Sequence, residues 1–379
     1  MTIPSTATAE DILAQLDLSQ AEATAPFHLR VGSVSLRVFC PEPLRQELVD
    51  YFAEALEASD AVETPHHTPH HTPHHTPHHT VHLLPDQTLA SEPDWSDWAR
   101  EGGKSGRKDA IFDLEDARLI RKVRSGVTFL QAPDVAIAFG PLDENVSTVI
   151  NFINTQVLNI CLRDGWQLCH AAAVTGRGRS LAISGLSGGG KSTSILRMMD
   201  IDGTRFMSND RLLVRAGMPV QALGIPKHPR INPGTILGNP RLRDMIAPAR
   251  QAELEALPQD ALWTLEEKYD LFIGDIYGPD RVQFAAPLSD FWVLNWSHDS
   301  DAATSVQKVD LATRPDLLAA IMKSPGPFYQ HADGMFEPNG ASPDPAPYLA
   351  ALKGVRVSEV SGRIDFDVLA TQGRALFDD

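Results

Sequence analysis

The chain has 379 residues, 42% of them apolar and 22% charged, enough for one large domain or two ordinary ones with real cores. Its 33 Lys and Arg stand against 49 Asp and Glu, a formal net charge of −16, which argues against a nucleic-acid backbone or an anionic membrane as partner of the whole chain. Cys40, Cys161 and Cys169 make no disulfide framework, the N-terminus has no signal-peptide pattern, and no apolar run approaches the roughly 18–20 residues of a membrane helix, so a soluble, cytoplasmic protein is expected.

Residues 1–24 read as a polar lead-in with one short amphipathic helix at Ile12, Leu13 and Leu16. "FHLRVGSVSLRVFC" (27–40) alternates apolar and polar residues as a half-buried strand pair does. In 43–58, Leu44, Leu48, Tyr51, Phe52 and Leu56 fall at helical spacing behind Pro43. "TPHH" then repeats four times from Thr64 to His79, followed by Thr80, Val81 and His82. Proline at every fourth position forbids a helix, and the insert 64–82 is expected to be disordered. Its imidazoles are candidate zinc, nickel or copper ligands, yet no Cys, Asp or Glu is interleaved to set a geometry. A repeat expanded inside a tolerant surface loop is the favoured reading.

Residues 86–109 read as a long loop with a helical turn around Trp95 and Trp98. Four short strands follow over 110–140, broken at Glu115-Asp116, Ser125-Gly126 and Pro133-Asp134, the pattern of an antiparallel meander. A helix over 143–165 carries Val149, Phe152, Ile153, Val157 and Ile160 on one stripe. The expected organisation is a lead-in to residue 24, a β-rich α+β extension over 25–140, and a catalytic domain over 141–379.

The strongest chemical signal is Gly185-Leu186-Ser187-Gly188-Gly189-Gly190-Lys191-Ser192, which completes G-x-x-x-x-G-K-[ST]. Glycines let backbone N–H groups turn toward phosphate oxygens, and a helix beginning near Ser192 offers its positive end to the same anion. Lys191 would reach the β- and γ-phosphates, the Ser192 hydroxyl would ligate Mg²⁺, and Thr193 continues the loop. A strand, "SLAIS" (180–184), leads in, and a helix over 192–200 leads out. Upstream, "LCHAAAV" (168–174) and the turn "TGRGR" (175–179) form a hairpin with that strand. Downstream, "RFMSNDRLLV" (205–214) reads as a strand bearing Asn209 and Asp210. The Pro/Gly-rich "GIPKHPRINPGTI" (224–236) carries Lys227, His228 and Arg230, with Arg230 a candidate clamp on a γ-phosphate. The tail reads as scaffold: a buried strand at 290–296 with Trp292 and Trp296 in the core, a helix at 314–324, and a strand at 355–362.

His170, the loop Gly185–Ser192 and the Asn209-Asp210 pair, in that order, resemble the catalytic domain of HPr kinase/phosphorylases, most closely the HPr kinase-related kinase B group. The recognisable core spans roughly residues 165–240. The resemblance implies an α/β fold of the phosphoenolpyruvate carboxykinase type, with a mixed, largely antiparallel sheet. It further implies ATP and Mg²⁺ as cofactors, nucleotide contacts through Lys191, Ser192 and Thr193, and metal contacts through Ser192 and Asp210. Asp210, Asn209, His170 and Arg230 would form the catalytic group, with His170 beside the transferred phosphate. The implied reaction transfers the γ-phosphoryl group to a Ser/Thr hydroxyl of a protein or small-molecule acceptor, with room for a homo-oligomer. Two departures bear on this. Asn209 stands where the family has its first aspartate, the base toward the acceptor hydroxyl, so Asp210 would take that role or base catalysis would be weak. Thr193 stands where HPr kinases carry an acidic residue, and their C-terminal signature has no convincing copy here, so reverse phosphorolysis is not expected. A nucleotide-binding sensor with reduced transfer, and a metal-binding protein built on the histidine tract, stay open as alternatives.

Overall fold

The computed structural model describes residues 2–57, 78–100, 106–185, 189–258, 261–262, 265 and 267–378. The chain divides into two compact units, one of residues 1–165 with 324–343, the other of 166–323 with 344–379. No helix among the described residues is long and apolar enough to cross a membrane.

The first unit is built on one eight-stranded sheet. The expected strand pair is present as β1 (Phe27–Val31) and β2 (Val34–Phe39), turned at Gly32 with φ +59°. Helix Leu44–Tyr51 is shorter than its apolar spacing predicts and gives way to a single 3-10 turn at Ala53–Ala55. The next strand, β3 (His79–Pro85), corrects the expectation for the end of the histidine tract. His79 to His82 form a strand, parallel to β2 on one side. Of the insert, 64–77 lies outside the described residues. Around Trp95 and Trp98 the expected helical turn is replaced by a two-residue strand, β4 (Ser96–Asp97). The meander then runs as expected through β5 (Asp109–Asp113), β6 (Arg118–Lys122), β7 (Thr128–Gln131) and β8 (Ala136–Gly140). Strand β8 returns to lie parallel to β3, closing the order β1-β2-β3-β8-β7-β6-β5-β4.

Helix Val146–Arg163 buries Val149, Phe152, Ile153 and Val157 of the expected stripe, whereas Ile160 is only partly buried. Phe152 packs on Phe129 of β7, with ring centroids 4.7 Å apart. This packing makes the helix part of the first unit, so the division falls at residue 165 rather than at the expected 140.

The second unit is a mixed α/β assembly of mostly antiparallel sheets. Its strands in chain order begin with β9 (Gln167–Cys169), β10 (Ala171–Gly176), β11 (Arg179–Gly185), β12 (Arg205–Ser208), β13 (Leu212–Arg215) and β14 (Gln221–Leu223). They continue with β15 (Arg230–Ile231), β16 (Tyr269–Asp270), β17 (Ala285–Pro287), β18 (Asp290–Leu294), β19 (Ser305–Lys308) and β20 (Arg356–Ser361). The six-stranded sheet has the order β12-β10-β11-β18-β20-β19, with β11, β18 and β20 parallel and the rest antiparallel. A four-stranded sheet, β17-β14-β13-β9, is wholly antiparallel, and β15 and β16 form a small hairpin-like pair. The β10–β11 turn is the expected one. Arg177 and Gly178 both have positive φ, +49° and +78°, as a two-residue hairpin turn requires.

Two apolar cores flank the six-stranded sheet. One packs Val174, Leu181, Ile183 and Trp292 against Ile195, Leu196, Met199, Leu369 and Phe377, and so holds helix Lys191–Met199 and the C-terminal helix Phe366–Asp378 to one face. The other packs Ala171, Ala173, Ala182, Phe291 and Val293 against Leu317, Leu318 and Ile321 of helix Pro315–Ile321.

Candidate functional site

The sequence suggests one continuous strand over 168–174 and another over 205–214. In the structure both are broken, and at matching places. Strands β9 and β10 are interrupted at His170, and strands β12 and β13 at Asn209–Arg211. Because β10 pairs with β12 in one sheet while β9 pairs with β13 in the other, both chains cross between sheets side by side. A residue at such a crossing has backbone groups that no regular ladder claims, and its side chain is freed from strict up-down alternation. His170 and Asp210 meet there.

His170 Nε2 lies 3.1 Å from Asp210 Oδ1. An ionised carboxylate has no proton to give, so the imidazole Nε2–H is the donor. The His170 backbone is fixed as well, since its N–H donates to the Ile321 carbonyl at 2.7 Å. The buried Ser184 hydroxyl, one residue before the glycine-rich loop, lies within hydrogen-bond reach of the His170 carbonyl at 2.9 Å. His170 is thereby held beside the start of that loop.

Lys323 is a residue that sequence reasoning missed. Its Nζ lies 3.7 Å from Asp210 Oδ2. It follows helix Pro315–Ile321 and is brought in by a bridge between Met322 and Cys169, the neighbour of His170. Burial by itself would raise the Asp210 carboxyl. The His170 hydrogen bond and the charges of Lys323, His170 and Arg211 outweigh it, and the carboxyl is held well below the ordinary carboxylate value of 3.8. Asp210 is therefore an ionised acceptor at any physiological pH.

Lys227, in the 224–229 loop, adds to the same field. Burial pushes its ammonium down to about 8, with the Arg211 charge acting the same way, the Asp210 carboxylate opposing, and Lys323 and Arg230 adding further repulsion. Asn209 Oδ1 is buried with no hydrogen-bond partner among the described residues. Among the described residues named here the site thus combines the Asp210 carboxylate, a buried amide oxygen and several positive charges, an arrangement suited to holding a polyanion against a hydroxyl or a metal. Arg230, expected as a clamp, forms an exposed ion pair with Asp270 at 2.9 Å. The pairing of β15 with β16 places these two residues opposite one another. Arg230 is not brought to Asp210 as a contact, although its charge reaches Lys227. Cys169 is fully buried, and burial pushes its thiol up strongly.

Of the glycine-rich segment, Leu186, Ser187 and Gly188 lie outside the described residues. Gly185 closes β11, and a Cβ there would come within 2.9 Å of Leu294 Cβ, so only glycine lets β11 and β18 approach this closely. Gly190 has φ +85° and caps helix Lys191–Met199. The helix starts at Lys191, and the Lys191 Nζ folds back to within 3.4 Å of the Gly185 carbonyl oxygen, so the ammonium spans the two ends of the loop. Thr193 Oγ1 hydrogen-bonds to Thr235 Oγ1 at 2.8 Å, tying the helix to the 224–236 segment. Trp292 is core, as expected, but Trp296 is not. It lies beyond the end of β18, partly buried, and its indole N–H donates to the Gly189 carbonyl at 2.9 Å.

The histidines described at the end of the tract lie in or beside the sheet of the first unit. His82 stacks on Phe39 and pairs with Glu22 at 3.2 Å, and His79 is buried. No group of three or more His, Cys, Asp or Glu among the described residues is arranged to hold a metal ion.

No family model and no curated protein matches the chain. Among solved structures it is similar to the Hpr(Ser) kinase/phosphatase from Coxiella burnetii, with 11% identity and a TM-score of 0.27, over 56% of this chain and 99% of that one.

Proposed function

We propose that the chain is an ATP-dependent phosphotransferase that passes the γ-phosphoryl group to a Ser/Thr-type hydroxyl on a protein or small-molecule acceptor. The observation that carries this reading is the meeting of His170, Asp210 and Lys323 at a sheet crossing joined through Ser184 to the first residue of the glycine-rich loop. A nucleotide would lay its phosphates along the N-terminus of helix Lys191–Met199, where the positive end of the helix and the Lys191 ammonium complement negative charge. Its terminal phosphate would then face the positive field of Lys323 and Lys227.

The oxygen donors suit magnesium. The Ser192 hydroxyl, the Asp210 carboxylate and the buried Asn209 Oδ1 are hard oxygen donors of the kind that magnesium takes. Ser192 and Asp210 would hold the ion, which supplies charge neutralisation at the transferring phosphoryl group. In the transfer, the acceptor oxygen bonds to the γ-phosphorus and the bond to the bridging oxygen of ADP breaks. The hydroxyl proton passes to the Asp210 carboxylate, which also orients the hydroxyl. A carboxylate held so far down is a weak base, but a loose transition state asks more of positioning and charge than of basicity. His170 keeps Asp210 Oδ1 in place, and Lys323 and Lys227 offset the charge spread over the phosphoryl oxygens.

A nucleotide-binding sensor with little transfer is a second reading, favoured by the amide at Asn209. The two predict opposite results for Asn209→Asp. A sensor that lost a carboxylate gains transfer when it is restored. A working site built around one carboxylate loses transfer when a second one competes with Asp210 for the same cations. The direct test measures Mg-ATP binding by calorimetry and ³²P transfer to proteins of the source cell. Asp210→Asn is expected to lower transfer by at least ~100-fold and, because Asp210 would also hold the ion, to weaken Mg-ATP binding while affinity for metal-free ATP is kept; unchanged transfer contradicts the assignment.

A further inference from the structure

Both ends of the glycine-rich loop are pinned by the same short stretch at the end of β18. Leu294 lies against Gly185, the last residue of β11, which runs parallel to β18 with Gly185 opposite Leu294. Two residues further on, Trp296 donates its indole N–H to the Gly189 carbonyl oxygen at 2.9 Å. The Trp296 ring is in turn set edge-on against Phe366, with centroids 5.2 Å apart and planes at 84°. A Cβ on Gly190 would lie 2.7 Å from Phe366 Cζ, so Phe366 occupies the space that any side chain at 190 would need.

Phe366 is itself fixed from below. It opens the C-terminal helix Phe366–Asp378, whose Leu369 and Phe377 share a core with Leu196 and Met199 of helix Lys191–Met199. Asp367 adds an ion pair to Arg197 of that helix at 3.1 Å. The Trp296 indole therefore sits on a rigid shelf, and its hydrogen bond constrains one peptide plane, Gly189–Gly190. In a trans peptide the N–H points opposite to the carbonyl. Holding the Gly189 carbonyl toward Trp296 therefore aims the Gly190 N–H away from it.

We propose that Trp296 is a positioning residue for phosphate binding. Its hydrogen bond to Gly189 orients the Gly190 N–H as a donor to the phosphate chain of the nucleotide, and Phe366 braces the indole from the C-terminal helix. The inference rests on the nucleotide reading of this loop and adds to it a device outside the glycine-lysine motif. It assigns Trp296 to the phosphates and not to the base, and that difference makes it testable.

The experiment compares wild type with Trp296→Phe, which keeps an aromatic ring but removes the donor, using two probes: Mg-ATP and Mg-tripolyphosphate, which has no base. Both affinities are expected to fall by a similar factor, about tenfold for the loss of one oriented donor, while the thermal midpoint stays within a few degrees. Trp296→Leu serves as a second donor-free variant should the Phe variant fold poorly. The indole N–H resonance of Trp296 in the wild-type chain, expected to shift on adding tripolyphosphate, gives a reading that needs no variant to be stable. Loss of ATP affinity with tripolyphosphate binding intact overturns the proposal in favour of base stacking. Unchanged affinity for both overturns it outright. Wild-type protein that binds neither probe overturns the nucleotide reading and this inference with it, an outcome distinct from the other two.

Discussion

The Asp210 carboxylate sits among the charges of Lys323, Arg211 and Lys227 and beside the His170 imidazole. These groups can be probed one side chain at a time. Lys323 pairs with Asp210 Oδ2 and is itself mostly buried. Lys323→Met keeps the bulk and removes the charge, and is expected to lower phosphoryl transfer about tenfold or more while Mg-ATP affinity changes less than threefold. Steady-state kcat and a calorimetric Kd separate the two. Lys227 gives a pH signature. Its folded-state value, about 8, lies below the ordinary 10.5, so between these values the unfolded chain binds the extra proton. Unfolding free energy then rises with pH across that window, because the cost of burying an ammonium disappears as it deprotonates. Urea denaturation at pH 7.5, 9 and 10.5 should show this rise in the wild type and a smaller one in Lys227→Met. Equal slopes would contradict the buried setting of Lys227.

Regular elements were legible wherever the apolar period was clean. The β1–β2 pair, the β5–β8 meander, the helix over 146–163 and the β10–β11 hairpin follow directly from alternation, stripe and turn chemistry. The candidate site lies where that regularity stops. His170 and Asp210 stood out because each adjoins a motif, but their meeting depends on two strands changing sheets together. A run of apolar residues gives no sign of such a change. Lys323 was invisible for a different reason: it is 113 positions from Asp210 and follows an ordinary helix, with no spacing rule to connect them. Trp296 was hidden by its composition, since "DFWVLNW" reads as one buried strand although the strand ends at Leu294. The 224–229 loop shows how closely these elements are fitted. A Cβ on Gly224 would overlap the Met207 carbonyl on β12, so only glycine lets the loop bearing Lys227 lie against that strand. Gly224→Ala is expected to destabilise the fold by about 2–3 kcal/mol, as overpacking against rigid backbone does. A shift of the urea midpoint reads this directly, and a midpoint equal to wild type would mean the loop sits further from β12.

At the scale of the chain, two compact units divide the histidine tract from the glycine-rich loop, and each carries its own titration behaviour. In the first unit, burial pushes His79 down to about 4, with the Arg163 charge adding to it and Asp134 opposing. Its ordinary value is 6.5, so between 4 and 6.5 the unfolded state takes up a proton that the folded state refuses. Stability falls as pH drops through that window, by up to about 3 kcal/mol for this one group. A His79→Met variant should lose less stability between pH 7 and pH 4 than the wild type. An identical acid profile would contradict the buried, neutral state of His79. This end of the tract is bound into a sheet, and the functional claim concerns the second unit. The claim stands most directly on whether the full chain binds Mg-ATP through the loop that ends in Lys191. Isothermal titration of wild type and Lys191→Ala is expected to give saturable, one-to-one binding in the first and none within the accessible range in the second. Absence of binding in the wild type, or equal binding in both, would contradict it.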